Sequence, residues 1–160
     1  FNLGGIEEDK HRTNDVSSIT NPVYKEECGS CNMAYPPGLL PAKTWNKVMI
    51  NLENHFGDNA EVDATTYRTL TRFLLTNGAD KSDYHRSEKI NRSIHFNDLP
   101  VRISETPYFK HEHDKIPARL VSSNSQVNSF SQCDACHAKA EQGSFNEHDV
   151  RIPGHGPWDD

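Results

Sequence analysis

The apolar positions of the chain predict short helices separated by long polar stretches. From Pro41 onwards, apolar side chains such as Trp45, Met49 and Phe56 recur at the spacing of one helix face. Gly57 then supplies a helix stop. We therefore expect a helix from Pro41 to Gly57.

Three further helices are expected from their end signals rather than from long apolar stripes. Their expected bounds are Asp63 as N-cap to Asn77-Gly78, Ser104-Glu105-Thr106-Pro107 to Asp114 with Pro117 beyond it, and Cys133 to Gly143. No segment alternates apolar and polar residues convincingly enough to predict a strand. The pattern therefore predicts a mainly α fold with long loops.

Composition and charge add three expectations about the core and the partners of the chain. Only 34% of the 160 residues are hydrophobic, which leaves little apolar surface to offset the entropy of ordering the chain. The net charge of -6 argues against a nucleic-acid partner, since phosphate binding needs clustered Lys and Arg. No apolar run approaches the roughly 20 residues that cross a bilayer. We expect a chain that does not span a membrane and whose core contains more than polypeptide.

The four cysteines form two Cys-x-x-Cys pairs, Cys28 with Cys31 and Cys133 with Cys136. Such pairs occur in zinc ribbons, redox dithiols, disulfide frameworks and c-type haem attachment sites. About a hundred residues separate the pairs, far more than in a zinc ribbon. A redox dithiol follows a buried strand, and no β-branched run precedes either pair.

The residue after the second pair favours haem attachment. His137 completes a Cys-x-x-Cys-His motif, in which the two thiols form thioethers with the haem and the imidazole reaches the iron. Cytochromes of this type are assembled outside the bacterial cytoplasm, so we expect a periplasmic protein. The first residue, Phe1 rather than Met, leads us to expect a mature form whose targeting peptide has been removed.

Two haem motifs imply two small lobes, each a c-type haem packed by short helices. We expect an N-terminal extension at 1–21, a first haem lobe at 22–78, a linker at 79–101, and a second haem lobe with a polar tail at 102–160. In the second lobe Phe109 and His113 share a helix face, whereas His111 points in a different direction.

Several stretches between Pro22 and Arg151 together resemble the dihaem cytochrome c family of small bacterial periplasmic proteins. They are 26–31, 33–42, 52–60 with His55-Phe56-Gly57, 102–107, the Glu112-His113 pair, and 133–137. The resemblance implies a helical, two-lobed electron carrier, not an enzyme, whose two haems are attached at Cys28, Cys31, Cys133 and Cys136.

The resemblance also implies iron ligands and partners. It makes His137 the proximal and His113 the distal ligand of the second haem, and His55 the distal ligand of the first. It implies redox proteins as partners, including a small oxygen-binding monohaem cytochrome and a membrane-bound electron donor.

The first motif departs from the family pattern, because Asn32 stands where the family has histidine. An amide oxygen is a poor iron donor beside imidazole. The first haem is then five-coordinate on His55, or holds Asn32 or water weakly, or takes Met33 or Lys43 instead; a further outcome is poor processing by the attachment machinery. An open face gives an alternative function, the binding or sensing of diatomic gases or weak peroxidase activity. A zinc-stabilised interaction domain is a third hypothesis.

Overall fold

The computed structural model describes residues 15–30, 33–95 and 97–158. In these ranges it contains six α-helices, short 3-10 turns between them and a two-stranded antiparallel ribbon. The helices are α1 (Pro22–Gly29), α2 (Ala42–Ile50), α3 (Ala64–Asn77), α4 (His85–Ser93), α5 (Pro107–His113) and α6 (Cys133–Cys136), and the strands are β1 (Arg151–Ile152) and β2 (Gly156–Pro157). The expected mainly helical fold is confirmed.

The α3 and α5 helices begin at the positions that their capping residues indicate. The Asp63 carboxylate accepts the N–H of Thr66 at 2.7 Å and caps α3. The Thr106 hydroxyl accepts the N–H of Phe109 at 3.3 Å and caps α5, with Pro107 in the first turn. Each side chain satisfies one of the N–H groups that a helix start leaves unpaired.

The helix expected to reach Gly57 is shorter, because α2 ends at Ile50. A 3-10 turn follows, and His55 then lies at one side of a tight turn. Its N–H donates to the carbonyl of Asp58 at 2.6 Å, and the N–H of Asp58 donates back at 3.1 Å. Phe56 and Gly57 have φ values of 53° and 97°, as the two central residues of such a turn require. This turn, rather than a helix, positions His55.

The stretch expected to be a linker contains α4, which is packed into the core. Ile90 is 4% exposed and forms a cluster with Val16 and Leu39. Ser87 on the same helix is fully buried. Among the residues of α4, Ile90 is the one large aliphatic side chain, so the sequence carried no apolar stripe that would predict this helix.

The second motif also forms a shorter helix than expected. The α6 helix covers only the four residues of the Cys-x-x-Cys segment, and His137 leaves the helix at its end. A 3-10 turn then ends at Gly143, as predicted, with φ of 85°. The Gly143 carbonyl accepts the N–H groups of Asp15 and Val16 at 3.0 Å each. The start of the described chain is thereby tied to the second motif.

Tyr35 joins the two halves of the molecule. Its hydroxyl donates to the carbonyl of Ser131 at 2.6 Å, and the hydroxyl of Tyr24 donates to the carbonyl of Tyr35 at 2.6 Å. Burial, followed by the nearby Cys133, raises the pKa of Tyr35 to about 12, so its hydroxyl remains a donor at neutral pH. The ring packs against three neighbouring hydrophobic clusters.

We expect Tyr35→Phe to lower the free energy of unfolding of the haem-loaded protein by about 1–2 kcal/mol, because the Ser131 carbonyl loses its donor while the ring is retained. Guanidinium unfolding followed by helix circular dichroism measures this loss. Tyr67→Phe is the matched control, since the Tyr67 ring packs against the first cluster and its hydroxyl makes no hydrogen bond with the described residues. Equal losses in both variants would contradict the assigned role of the Tyr35 hydroxyl.

Candidate functional site

A cavity of 540 Å³ lies between α4, α5, α6 and β1. Its volume is within the range of about 300–1,000 Å³ that is usual for cofactor pockets. Most of the side chains that line it are apolar, among them Ile90, Phe109, Phe130, Val150 and Ile152. Four of the predicted site residues also line it, namely His113, Cys133, Cys136 and His137. The fold therefore brings all predicted residues of the second haem site to one cavity.

The end of α5 fixes the ring of His113. Its Nδ1 lies 2.8 Å from the carbonyl oxygen of Phe109, and because a carbonyl only accepts, Nδ1 carries the proton and Nε2 the lone pair. The ring stacks on that of Phe109 with centroids 3.8 Å apart and planes at 12°. Phe130 contacts both rings edge-on. The imidazole is thus held in one tautomer and one orientation.

His137 is held at the end of α6. Its backbone N–H donates to the carbonyl of Cys133 at 2.8 Å, and its ring contacts Phe145 with centroids 5.2 Å apart. Its Nδ1 is buried and has no hydrogen-bond partner among the described residues. Buried polar atoms are nearly always satisfied, so the ring fits a wall that a bound group completes.

Both imidazoles are neutral at neutral pH. Burial, followed by the neighbouring His113 and Arg86, lowers the pKa of His137 to about 4. Burial also lowers the pKa of His113, against an opposing effect of its bond to Phe109. A neutral imidazole offers the lone pair that a metal ligand needs.

The two imidazoles line the same cavity at a separation that suits one iron atom. Their ring centroids are 6.3 Å apart, and their planes make an angle of 76°. A histidine nitrogen lies about 2 Å from a first-row metal ion that it ligates, with the ring centroid about 1 Å behind, so rings on opposite sides of one ion have centroids about 6 Å apart. His113 and His137 therefore fit the two axial positions of a haem.

The thiols of the second motif fit attachment rather than dithiol redox chemistry. Burial, followed by the charge of Asp134, raises the pKa of Cys133 to about 12, and burial raises that of Cys136. Redox dithiols depend on the opposite shift, a lowered pKa that exposes a thiolate. Cys133 is buried and Cys136 half-buried at the cavity wall. The residues present therefore fit a haem held at its edge by two thioethers.

The structure describes two of the residues predicted for the first haem. Cys28 lies at the end of α1, partly buried against a cluster that contains Tyr24 and Leu70. His55 is half-buried, and burial lowers its pKa. Neither residue lines the cavity of the second site. Cys31 and Asn32 lie outside the described residues, so the statements about them stay predictions.

The segment after the first motif packs against the second motif. Met33 is buried in a cluster with Cys133 and Ala140, and the hydroxyl of Tyr35 bonds the chain two residues before Cys133. Lys43, the other replacement ligand considered for the first haem, is exposed. The segment that follows the first motif therefore lies beside the second motif.

The polar residues at one end of the cavity were not predicted from the sequence. Asp15 comes from the stretch assigned to the extension and Arg86 from the stretch assigned to the linker, yet both line the cavity together with Tyr108. No local motif marks any of them, because their proximity depends on how α4 packs against α5. Phe130 lies within a Ser- and Asn-rich segment, and its aromatic ring was the one signal there.

A helical fold in which a Cys-x-x-Cys-His motif and a second buried imidazole line one cavity is that of a c-type cytochrome. The chain belongs to the dihaem cytochrome c family, whose family model matches residues 24–145. It accordingly carries two covalently bound c-type haems, and its chemistry is haem-based electron transfer. This membership removes the zinc-stabilised interaction domain from consideration.

Solved structures of the same family are similar over most of the chain. A dihaem cytochrome c from Shewanella baltica is 42% identical with a TM-score of 0.73, covering 88% of this chain and 100% of its own. A dihaem cytochrome c from Rhodobacter sphaeroides is 39% identical with a TM-score of 0.71, covering 81% of this chain and 99% of its own. No curated protein matches the sequence. Among the described residues, no helix combines the length and apolarity needed to cross a membrane.

Proposed function

We propose that this protein carries single electrons between periplasmic redox partners, and that its second haem is attached at Cys133 and Cys136 and ligated by His137 and His113. The observation that carries the proposal is the pair of neutral imidazoles that line one cavity with ring centroids 6.3 Å apart. If both axial positions are filled by histidine, no site on that iron is open to oxygen chemistry, and electron transfer is the reaction that remains.

The chain supports electron transfer by holding its ligands still. The haem, when bound, supplies the one-electron couple. The Phe109 carbonyl and ring fix the orientation of His113, while Phe145 packs against His137. The apolar wall of the cavity excludes water from the surroundings of the iron. Rigid ligands in dry surroundings need little rearrangement when the charge on the iron changes.

Reversible redox titration tests the proposed function. We expect two one-electron steps, each with superimposable reductive and oxidative curves, and no consumption of hydrogen peroxide beyond the amount that oxidises the two haems once. Sustained peroxide turnover at a rate proportional to protein concentration would show an enzyme instead.

The partners follow from the same proposal. We propose a membrane-bound donor and, as acceptor, a small oxygen-binding monohaem cytochrome. The net charge of -6 favours partners that present a basic face to this protein, because opposite potentials raise the rate of encounter. Stopped-flow oxidation of the reduced protein should then slow as salt is added.

A second candidate function concerns the first haem. Because the first motif reads Cys28-Gly29-Ser30-Cys31-Asn32, we propose that His55 is the one strong protein ligand of that iron, at least in the ferrous state. An amide oxygen is a hard donor and ferrous iron a comparatively soft acceptor. The first haem is then high-spin when reduced and open to a diatomic gas, which would make the protein a gas-binding carrier.

We expect carbon monoxide to bind rapidly to one haem of two in the reduced protein, and Asn32→His to abolish this by providing a second imidazole. Flash photolysis of the carbon monoxide complex measures the rate, and the visible spectrum reports the spin state. Asn54→His introduces a histidine at the position directly before His55. This control should leave rapid binding of carbon monoxide intact. Two low-spin ferrous haems in the unmodified protein would contradict the open site.

A further inference from the structure

The cavity of the second haem has a charged end built around Arg86. This residue lies on α4 and lines the cavity. One guanidinium nitrogen, Nη2, donates to the Asp15 carboxylate at 3.0 Å, and Nη1 donates to the Tyr108 hydroxyl at 2.7 Å. Many of the other lining side chains are hydrophobic, and Lys89 and the carboxylates of Asp15, Glu112 and Glu147 line the cavity as well. Arg86 is therefore a partly buried cation on the cavity wall.

One of the three guanidinium nitrogens of Arg86 makes no hydrogen bond with the described residues. This nitrogen, Nε, is buried. Burial lowers the pKa of Arg86, but the combined effect of Asp15, Tyr108 and Glu112 is larger and opposite. The pKa therefore lies above its ordinary value, and the group stays charged. A buried N–H of a charged group without an acceptor costs free energy. Such a donor therefore indicates an acceptor supplied by a bound group.

The Asp15 carboxylate beside Arg86 accepts one hydrogen bond on each of its oxygens. Oδ1 of Asp15 accepts from Arg86, and Oδ2 accepts the backbone N–H of Phe145 at 2.6 Å. The Asp15 backbone N–H donates to Gly143. These bonds fix Asp15 on one side of the guanidinium. Lys89, three residues after Arg86 on α4, also lines the cavity and adds a second cation to the same wall.

We propose that Arg86 donates through Nε to a propionate carboxylate of the second haem and raises the reduction potential of that haem. The proposal rests on the proposed function, because it assigns the cavity to the second haem. The carboxylates are the anionic groups of a haem, and a guanidinium binds a carboxylate strongly and in a fixed geometry. A positive charge close to the iron favours the ferrous state, which carries one positive charge fewer than the ferric state.

Redox titration of the haem-loaded Arg86→Gln variant tests the pairing. We expect the reduction potential of one of the two haems to fall by roughly 59 mV, which is a tenfold change in the ferrous-to-ferric ratio of a one-electron couple. The reduction potential of the other haem should stay unchanged. Arg86→Lys retains the charge without the guanidinium fork, and should restore more than half of the shift.

A matched variant on the same helix controls for the loss of a charge alone. Arg92 is exposed and pairs with Glu88 on the outer face of α4, and it does not line the cavity. Arg92→Gln removes the same charge in contact with solvent, where salt screens it. Both potentials should then stay within a few millivolts of the unmodified protein, which is well under a tenfold change.

A second variant separates an electrostatic role from a structural one. Asp15→Asn removes a negative charge beside Arg86 and retains one oxygen, which can still accept the N–H of Phe145 while the bond from Arg86 is lost. The potential of the same haem should rise. Loosening of the cavity admits water and lowers the potential in both variants, so opposite signs in Arg86→Gln and Asp15→Asn cannot come from loosening.

The outcomes distinguish the pairing from the proposed function. If Arg86→Gln changes neither potential, or moves both steps equally, while the spectrum of a low-spin second haem is retained, the propionate pairing is wrong and the electron carrier stands. If Asp15→Asn lowers the potential as Arg86→Gln does, the role of Arg86 is structural and the proposal is overturned. Absence of a low-spin haem in the unmodified protein would reject the proposed ligation itself.

Discussion

Replacing His113 with alanine is expected to convert one of the two haems from a six-coordinate low-spin form to an open high-spin form. The variant removes the imidazole whose ring centroid lies 6.3 Å from that of His137, and no other histidine lines the wall formed by α5. Water or no ligand then occupies the sixth position, and the weaker ligand field changes the spin state. Visible spectra of both oxidation states should show the loss of the low-spin signal of the second haem.

His111→Ala is the matched control for that variant. His111 lies on the same helix two residues earlier, is exposed, and does not line the cavity. Its substitution should leave both haem spectra unchanged, because side chains two apart on a helix leave in different directions. A high-spin haem in His111→Ala together with an unchanged spectrum in His113→Ala would reverse the proposed assignment.

Removing both thiols of the second motif is expected to unfold the part of the chain around the cavity. Without the thioethers of Cys133 and Cys136, the second haem is not retained through purification. The apolar side chains around the cavity then lose the surface that they pack against and contact water. Each such side chain costs about 1.5–3 kcal/mol when it is exposed, whereas an ordinary domain is stable by only about 5–15 kcal/mol.

Circular dichroism and intact mass measure the effect of Cys133→Ala with Cys136→Ala. We expect one covalent haem, a large loss of helix signal at 25 °C and no cooperative thermal transition for the cavity region. Asp134→Ala changes an exposed residue between the two thiols and should retain two haems and the native spectrum. A cooperative unfolding transition of the double variant near that of the unmodified protein would show that the haem does not complete the core.

The fold was predictable where a local signal sets it. Asp63 and Thr106 carry the capping chemistry of α3 and α5 in their own side chains, so both starts could be derived from the sequence. The turn at His55 could not, because it requires Phe56 to adopt a positive φ of 53°. That conformation is unfavourable for an aromatic residue, and Gly57 was equally consistent with the end of a helix.

The α4 helix lacked a signal for a different reason. Its position in the core depends on Ile90 and on the small Ser87 fitting beneath Gly38, not on an apolar stripe. Helices of this kind are stabilised by tertiary packing, which a pattern of single residues does not show.

The candidate site also combines residues that a local motif predicts with residues that only tertiary packing brings together. Cys133, Cys136 and His137 are adjacent in sequence, so the chemistry of the motif could be derived directly. The pairing of His113 with His137 came from the family resemblance, and its distance depends on how α5 packs beside α6. The contact of Asp15 with Arg86 joins residues 71 positions apart, beyond the reach of any local pattern.

The paramagnetic-resonance spectrum of the ferric protein tests the central claim most directly, namely that His113 and His137 are the axial ligands of the second haem. With imidazole planes at 76°, the two rings would interact almost equally with the two iron d orbitals that extend above and below the haem plane, so these orbitals stay close in energy. We therefore expect a low-spin signal of about one spin per molecule with a strongly anisotropic g tensor. A spectrum that contains only high-spin ferric iron would contradict the account.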